Sequence, residues 1–128
     1  MKHLSLWQIW WKGENLLKYE VVLSYEAIND IVDAEDYIRW HFGEVRSLLY
    51  RADIRKEIQA LSTDATIYSK SGCMYRDYPV YKKPFPPSIL FWVIEGGEVL
   101  ILRILREEFD WKTYFQENRF RVYTYPDR

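Results

Sequence analysis

Two arginines stand inside runs that otherwise read as apolar strands: Arg76 within residues 73–80 and Arg103 within residues 98–105. A guanidinium placed there is costly unless it is paired or sits at an edge. One reading pairs each with a carboxylate such as Asp77, Glu95 or Asp110, or turns it to solvent. The other sets Arg76 and Arg106, with Lys82 and Lys83, along one concave electropositive surface that meets a target. Arginine can stabilise the charge of a phosphorane, and Tyr78, Tyr81, Glu107 or Asp110 can move protons. Those are the groups that RNA cleavage through the 2′-hydroxyl needs. Nothing in the spacing requires that chemistry. His3 and His41 are the only histidines. Neither falls near Arg106 in the chain, and no Cys/His cluster has metal-ligand spacing, so no metal is expected. No nucleotide-binding loop and no small-molecule cofactor are indicated.

The 128 residues suit one domain, with 48% hydrophobic and 29% charged residues, a balance that excludes disorder of the whole chain. Charge is nearly even, 18 Lys and Arg against 19 Asp and Glu. Residues 1–67 hold eight basic and eleven acidic side chains, and the rest hold ten and eight. A protein whose main work is gripping phosphates carries a clear basic excess, so broad nucleic-acid binding is disfavoured. Cys73 is the only cysteine, which rules out an intrachain disulfide and fits a reducing compartment. The first 12 residues hold Trp7, Trp10 and Trp11 but neither a membrane-length apolar run nor a secretion cleavage site. A cytoplasmic protein with no membrane partner is expected.

The elements that must position these groups follow from periodicity. Residues 19–23 favour a strand, and Ser24 then caps a helix over residues 24–42 that Gly43 stops. A second helix over residues 44–62 carries Tyr50, Ile54, Ile58 and Leu61 as its core stripe. Val45, Leu48, Leu49 and Ala52 lie on nearly the opposite side. This second apolar face calls for a cover: the tryptophan-rich N-terminal segment, a partner or a second copy. Residues 73–80 read as a short strand with Arg76, Tyr78 and Val80 on one side. The three prolines in residues 82–87 predict a protruding loop rather than sheet. Residues 88–95 and 98–105 are apolar strands joined by Gly96-Gly97, a good two-residue hairpin signal. Asp110 caps a short helical turn whose Trp111, Tyr114 and Phe115 complete a core, and residues 119–125 form a further strand or an ordered arm. The class is α+β, a helical hairpin packed on an antiparallel-rich sheet.

This order resembles the RelE/ParE superfamily of bacterial type II toxins, also met as plasmid stabilisation proteins. The opening Tyr19-Glu20-Val21-Val22-Leu23-Ser24-Tyr25-Glu26-Ala27 is similar to the family's first strand and helix start. Asp36-Tyr37-Ile38 with His41-Phe42-Gly43 resembles the end of its first helix, and Arg76-Asp77-Tyr78-Pro79-Val80 its second strand. Residues 88–94 and 99–106 resemble its last two strands. The likeness covers residues 19–111 and implies a β-α-α-β-β-β domain over residues 19–115. Residues 1–18 are then an N-terminal extension and residues 116–128 a C-terminal tail. Helix lengths and the ending Arg103-Ile104-Leu105-Arg106-Glu107 look more like the ParE branch. Two departures matter. Arg106 stands where that branch often has histidine, and Ser88 where RNA-cutting members usually have arginine.

The resemblance implies the toxin of a toxin–antitoxin pair, arresting growth once a cognate antitoxin is lost. Even charge and the missing basic and histidine residues favour DNA gyrase as the target, bound through Arg76, Lys82, Lys83, Arg103 and Arg106. The alternative is a ribosome-dependent messenger-RNA endoribonuclease using Arg76, Arg106, Tyr78, Tyr81 and Glu107. A third reading is a toxin-fold module without toxicity that binds an antitoxin or acts as a co-repressor. The two-sided helix offers the antitoxin Val45, Leu48, Leu49 and Ala52 as a landing face. A homodimer is the other association the exposed aromatics admit.

Overall fold

A computed structural model describes residues 19–116. The N-terminal tryptophans and the segment at residues 119–125 lie outside the described residues. The elements run β1 (Glu20–Leu23), α1 (Tyr25–Phe42), α2 (Glu44–Asp64), β2 (Lys70–Tyr75), β3 (Tyr78–Phe85), β4 (Ser88–Glu95), β5 (Glu98–Arg106) and α3 (Trp111–Gln116). One five-stranded sheet has the order β1-β5-β4-β3-β2, with β1 parallel to β5 and the other pairs antiparallel. The α+β layout is the expected one.

The two helices begin and end where local chemistry dictates. Ser24 Oγ accepts the Ala27 N–H at 2.9 Å, which satisfies one orphan donor of the first turn of α1. Gly43, at φ 97°, turns the chain between α1 and α2 in a region that other residues enter only with strain. Ala27, Ile31, Ala34 and Ile38 of α1, with Tyr50, Ile54, Ile58 and Leu61 of α2, pack onto Val21, Leu23, Leu90, Trp92, Val99 and Ile101. Val80, Phe91, Val93, Leu100 and Leu102 point to the opposite face of the sheet and meet Phe115 of α3. Both faces of β4 and β5 are therefore buried, which explains why their sequences do not alternate.

Two expectations are corrected. Residues 73–80 are not one strand but the end of β2, a turn at Arg76-Asp77 and the start of β3. Arg76 and Asp77 have φ of 50° and 70°, the left-handed pair that a two-residue hairpin turn demands. Aspartate tolerates that region, and the turn carries no Gly or Asn to mark it. Residues 82–87 are not a protruding loop, because β3 continues through Lys82, Lys83, Pro84 and Phe85, paired with Phe91, Leu90, Ile89 and Ser88. The pairing of β2 with β3 begins only at Lys70 opposite Tyr81, so beyond Tyr81 β3 is an edge strand. The Lys82 N–H points outward to the Ser69 carbonyl at 2.9 Å, and Pro84, two residues on, presents its missing N–H to that same open side.

Side chains and turns of α1 also close an edge. β1 covers β5 only as far as Ile101. Beyond it, the Ser24 hydroxyl donates to the Leu102 carbonyl at 2.7 Å, and the Ile104 N–H donates to Asp30 Oδ2 at 2.8 Å. Leu102 is an extra residue in β5, since Ile101 pairs with Trp92 and Arg103 with Phe91. Backbone groups that would otherwise be left open along β5 are thus satisfied by the helix.

Candidate functional site at the Arg106 end of the sheet

Arg106 closes β5 opposite Ser88, at the end of the sheet where the β3–β4 turn Phe85-Pro86-Pro87-Ser88 lies. Its guanidinium sits 3.9 Å from the Tyr37 ring centroid and 2.5 Å from Glu108. Tyr37 in turn packs against His41 with ring centroids 4.2 Å apart, and His41 Nδ1 lies 2.8 Å from the Tyr37 carbonyl one helical turn back. Phe42 follows at 6.3 Å from His41, with Arg46 of α2 5.5 Å from its ring. The spacing Tyr37, His41 places both rings on one face of α1. Cation–aromatic contacts bracket this series at both ends.

Two cavities flank it. One, of about 560 Å³, is lined by Asp30, Asp33, Ser88, Arg103, Arg106 and Phe109 among others. The second, of about 460 Å³, is bounded by Tyr37, Phe42, Tyr50, Phe85 and the Pro86-Pro87 turn, with Arg46, Asp53 and Glu107 also in its wall. Tyr50 of the second cavity and Ser88 of the first meet with the Tyr50 hydroxyl and Ser88 Oγ 3.2 Å apart, and burial pushes the Tyr50 phenol up to about 12 even though the Ser88 bond works the other way.

The remaining sequence-derived candidates are not gathered here. Arg76 lies in the β2–β3 turn, its guanidinium 5.2 Å from the Tyr75 ring. Tyr78 hydrogen-bonds Glu95, which raises its pKa and keeps the phenol protonated. Glu95 is seven residues along β4 from Ser88, so Arg76 and Tyr78 stand about 23 Å from Arg106. Lys83 points to the helical face and pairs with Glu57 beneath the Tyr68 ring. Lys82 alternates to the other face. Tyr81 is half-buried and stacks on the buried Trp92 at 5.9 Å, at the margin of the core.

Arg103 is an internal tie. Its Nε and one terminal nitrogen donate to the two Asp30 oxygens at 2.8 and 2.9 Å, and the other nitrogen donates to the Tyr114 hydroxyl at 2.8 Å. Burial opposes its charge, but the Asp30 hydrogen bonds and charge, with Tyr114, carry its pKa above the ordinary arginine value. Its carboxylate partner is therefore Asp30 of α1, not Asp77, Glu95 or Asp110. Asp110 caps α3, its carboxylate accepting the Thr113 N–H at 3.3 Å. Glu107 remains beside Arg106.

Sequence reading missed Tyr37, His41 and Arg46. The i, i+4 pair at the end of α1 was the available signal, but nothing local places it against a strand end some seventy residues later. On the far side of α2, Val45, Leu48, Leu49 and Ala52 form an exposed stripe, and Trp40 at the end of α1 is 86% exposed. Among the described residues, no group of three His, Cys, Asp or Glu side chains could hold a metal ion, and no helix is long and apolar enough to cross a membrane.

Comparison with known proteins gives matches to a family model and to solved structures. The family model for the ParE toxin of the type II toxin–antitoxin system parDE matches residues 21–111. Among solved structures, a chain described as the chromosomal ParDE toxin–antitoxin system from P. aeruginosa superposes with a TM-score of 0.61 at 20% sequence identity. That match covers 71% of this chain and 98% of the other, and at such identity it speaks to the fold alone. No curated protein matches.

Proposed function

The chain belongs to the ParE toxin family, and from that premise we propose that it arrests growth as a binding inhibitor of DNA gyrase, held in check by a cognate antitoxin. One observation carries the preference for binding over hydrolysis. The arginine and tyrosine that cleavage would recruit at Arg76 and Tyr78 stand about 23 Å from Arg106 and Glu107, too far to act on one phosphate. The target-facing set reduces to Arg106 with its Tyr37 support and neighbouring cavities. Arg76, Lys82, Lys83 and Arg103 are spread over other faces or taken up inside the fold. The antitoxin seats an apolar helical face on Val45, Leu48, Leu49 and Ala52. Leu49→Glu then abolishes neutralisation while leaving folding intact, because Leu49 is half exposed.

A second reading has its own observation. His41, Tyr37, Arg106 and Glu107 lie at one strand end, which supplies an imidazole, a phenol, a cation and a carboxylate to a ribosome-bound messenger RNA. Tightly controlled induction separates the two. If thymidine incorporation falls before leucine incorporation, gyrase is the target, and purified toxin should block supercoiling. Leucine falling first overturns it in favour of RNA cleavage, and His41→Ala should then abolish arrest. Neither falling while folded protein accumulates would leave the module without toxicity.

A further inference from the structure

The outer face of α2 is built to meet something, and its charges narrow the choice. Val45, Leu48, Leu49 and Ala52 recur at i, i+3, i+4 and i+7, and each is exposed. Val45 is 70% exposed, and Phe42 extends the apolar surface around the Gly43 bend. A contiguous patch of this kind marks an association surface rather than scattered surface hydrophobes. Along one flank of this stripe stand Arg46 and Asp53, both exposed and seven residues apart. Two helical turns separate them by about 10 Å, too far to neutralise each other. A partner helix of one charge sign would satisfy one of them and repel the other.

A second copy of α2, turned end for end, satisfies both. A two-fold axis perpendicular to the helix brings like flanks together and sets positive opposite negative. The axis that places Arg46 opposite Asp53 of the other copy passes between Leu49 and Tyr50. The midpoint of the apolar stripe lies between Leu48 and Leu49, one residue away. Apolar contact and both ion pairs are therefore met within about 1.5 Å of sliding. In the same arrangement Lys56, one turn beyond Ala52, falls opposite the helix bend of the other copy, where Trp40 and Phe42 expose their rings. We infer that the outer face of α2 is the interface of an isologous homodimer in which Arg46 of each copy pairs with Asp53 of the other.

The test is sedimentation velocity on the full chain from micromolar upward, with Arg46→Asp, Asp53→Arg and the double swap. The wild type should show a concentration-dependent dimer. Each single reversal sets like charges opposite each other and should weaken self-association about tenfold or more. The double swap should restore it, and an equimolar mixture of the two single variants should form a heterodimer. A wild-type chain that stays monomeric throughout overturns the inference, as does a single variant that dimerises as well as wild type. So does a double swap with wild-type circular dichroism that does not recover. The antitoxin proposed for these same residues displaces the second copy rather than sitting beside it. Because self-association is read on the toxin alone, it stands or falls separately from that reading.

Discussion

Asp30 receives three bonds from two consecutive residues of β5: two from the Arg103 guanidinium and one from the Ile104 N–H. The pair is mostly out of solvent, with side chains 11% and 19% exposed. Removing the carboxylate alone leaves a partly buried cation and an unsatisfied amide, the situation in which an ion pair matters most. Asp30→Ala should cost about 3 kcal/mol in urea denaturation. Asp30→Leu combined with Arg103→Met should cost clearly less, because no orphaned charge remains; equal losses would show that the charge is not what the site turns on. Tyr50 offers a sharper residue-scale test. Its folded pKa of about 12 lies above the ordinary tyrosine value of 10.0, chiefly through burial. The unfolded chain therefore loses this proton first as pH rises, so the stability associated with it is complete below pH 10 and drains away between pH 10 and 12. The full loss is about 2–3 kcal/mol. Tyr50→Phe should be about 1 kcal/mol less stable at pH 7, where it gives up the Ser88 bond. That deficit should shrink and then reverse above pH 10. Parallel curves for the two proteins would contradict the burial argument.

Elements were legible where one residue type settles a boundary. Ser24 and Gly43 bracket α1, and Gly96 takes φ 62° at the first position of the β4–β5 turn. The second apolar face of α2 was equally plain from spacing alone. The β2–β3 turn was not, because Tyr75 and Tyr78 around Arg76-Asp77 are strand-formers and no glycine interrupts them. Pro84 misled in the other direction, since proline is barred from central strands but tolerated on an edge, and the outer neighbour β2 has already ended there. The site suffered most from distance in the chain. Arg103 and Asp30 are 73 residues apart, and Arg106 and Tyr37 nearly as far, so no local pattern joins them. The turn yields an element-scale prediction. Arg76→Asn with Asp77→Gly installs residues that enter left-handed φ with less strain, and should stabilise the fold by about 0.5–1 kcal/mol in thermal or urea melts. Destabilisation would argue that the Arg76–Tyr75 contact outweighs the backbone relief. Growth arrest should survive the change, because this turn lies at the far end of the sheet from Arg106.

At the scale of the whole molecule, the sheet is assembled from contacts of two very different ranges. β2–β3, β3–β4 and β4–β5 are hairpins between neighbours, whereas β1 pairs with β5 across 78 residues, Val21 opposite Val99 and Leu23 opposite Ile101. Closing that long loop costs chain entropy before any β1 contact is gained, so the local hairpins have reason to form first. Val93 sits in the β4–β5 hairpin opposite Leu100, and Val21 sits in β1; both are fully out of solvent. Truncating either to alanine should destabilise by about 1–3 kcal/mol, enough to partition reliably between folding and unfolding rates. Val93→Ala should slow refolding, because its contacts are already made at the barrier. Val21→Ala should leave refolding nearly unchanged and speed unfolding instead. Stopped-flow chevrons on the two variants decide it. If Val21→Ala proves the slower to refold, the parallel β1–β5 pairing belongs to the nucleus, and α1, whose Ser24 and Asp30 close the same edge of β5, must already be docked when the hairpins form.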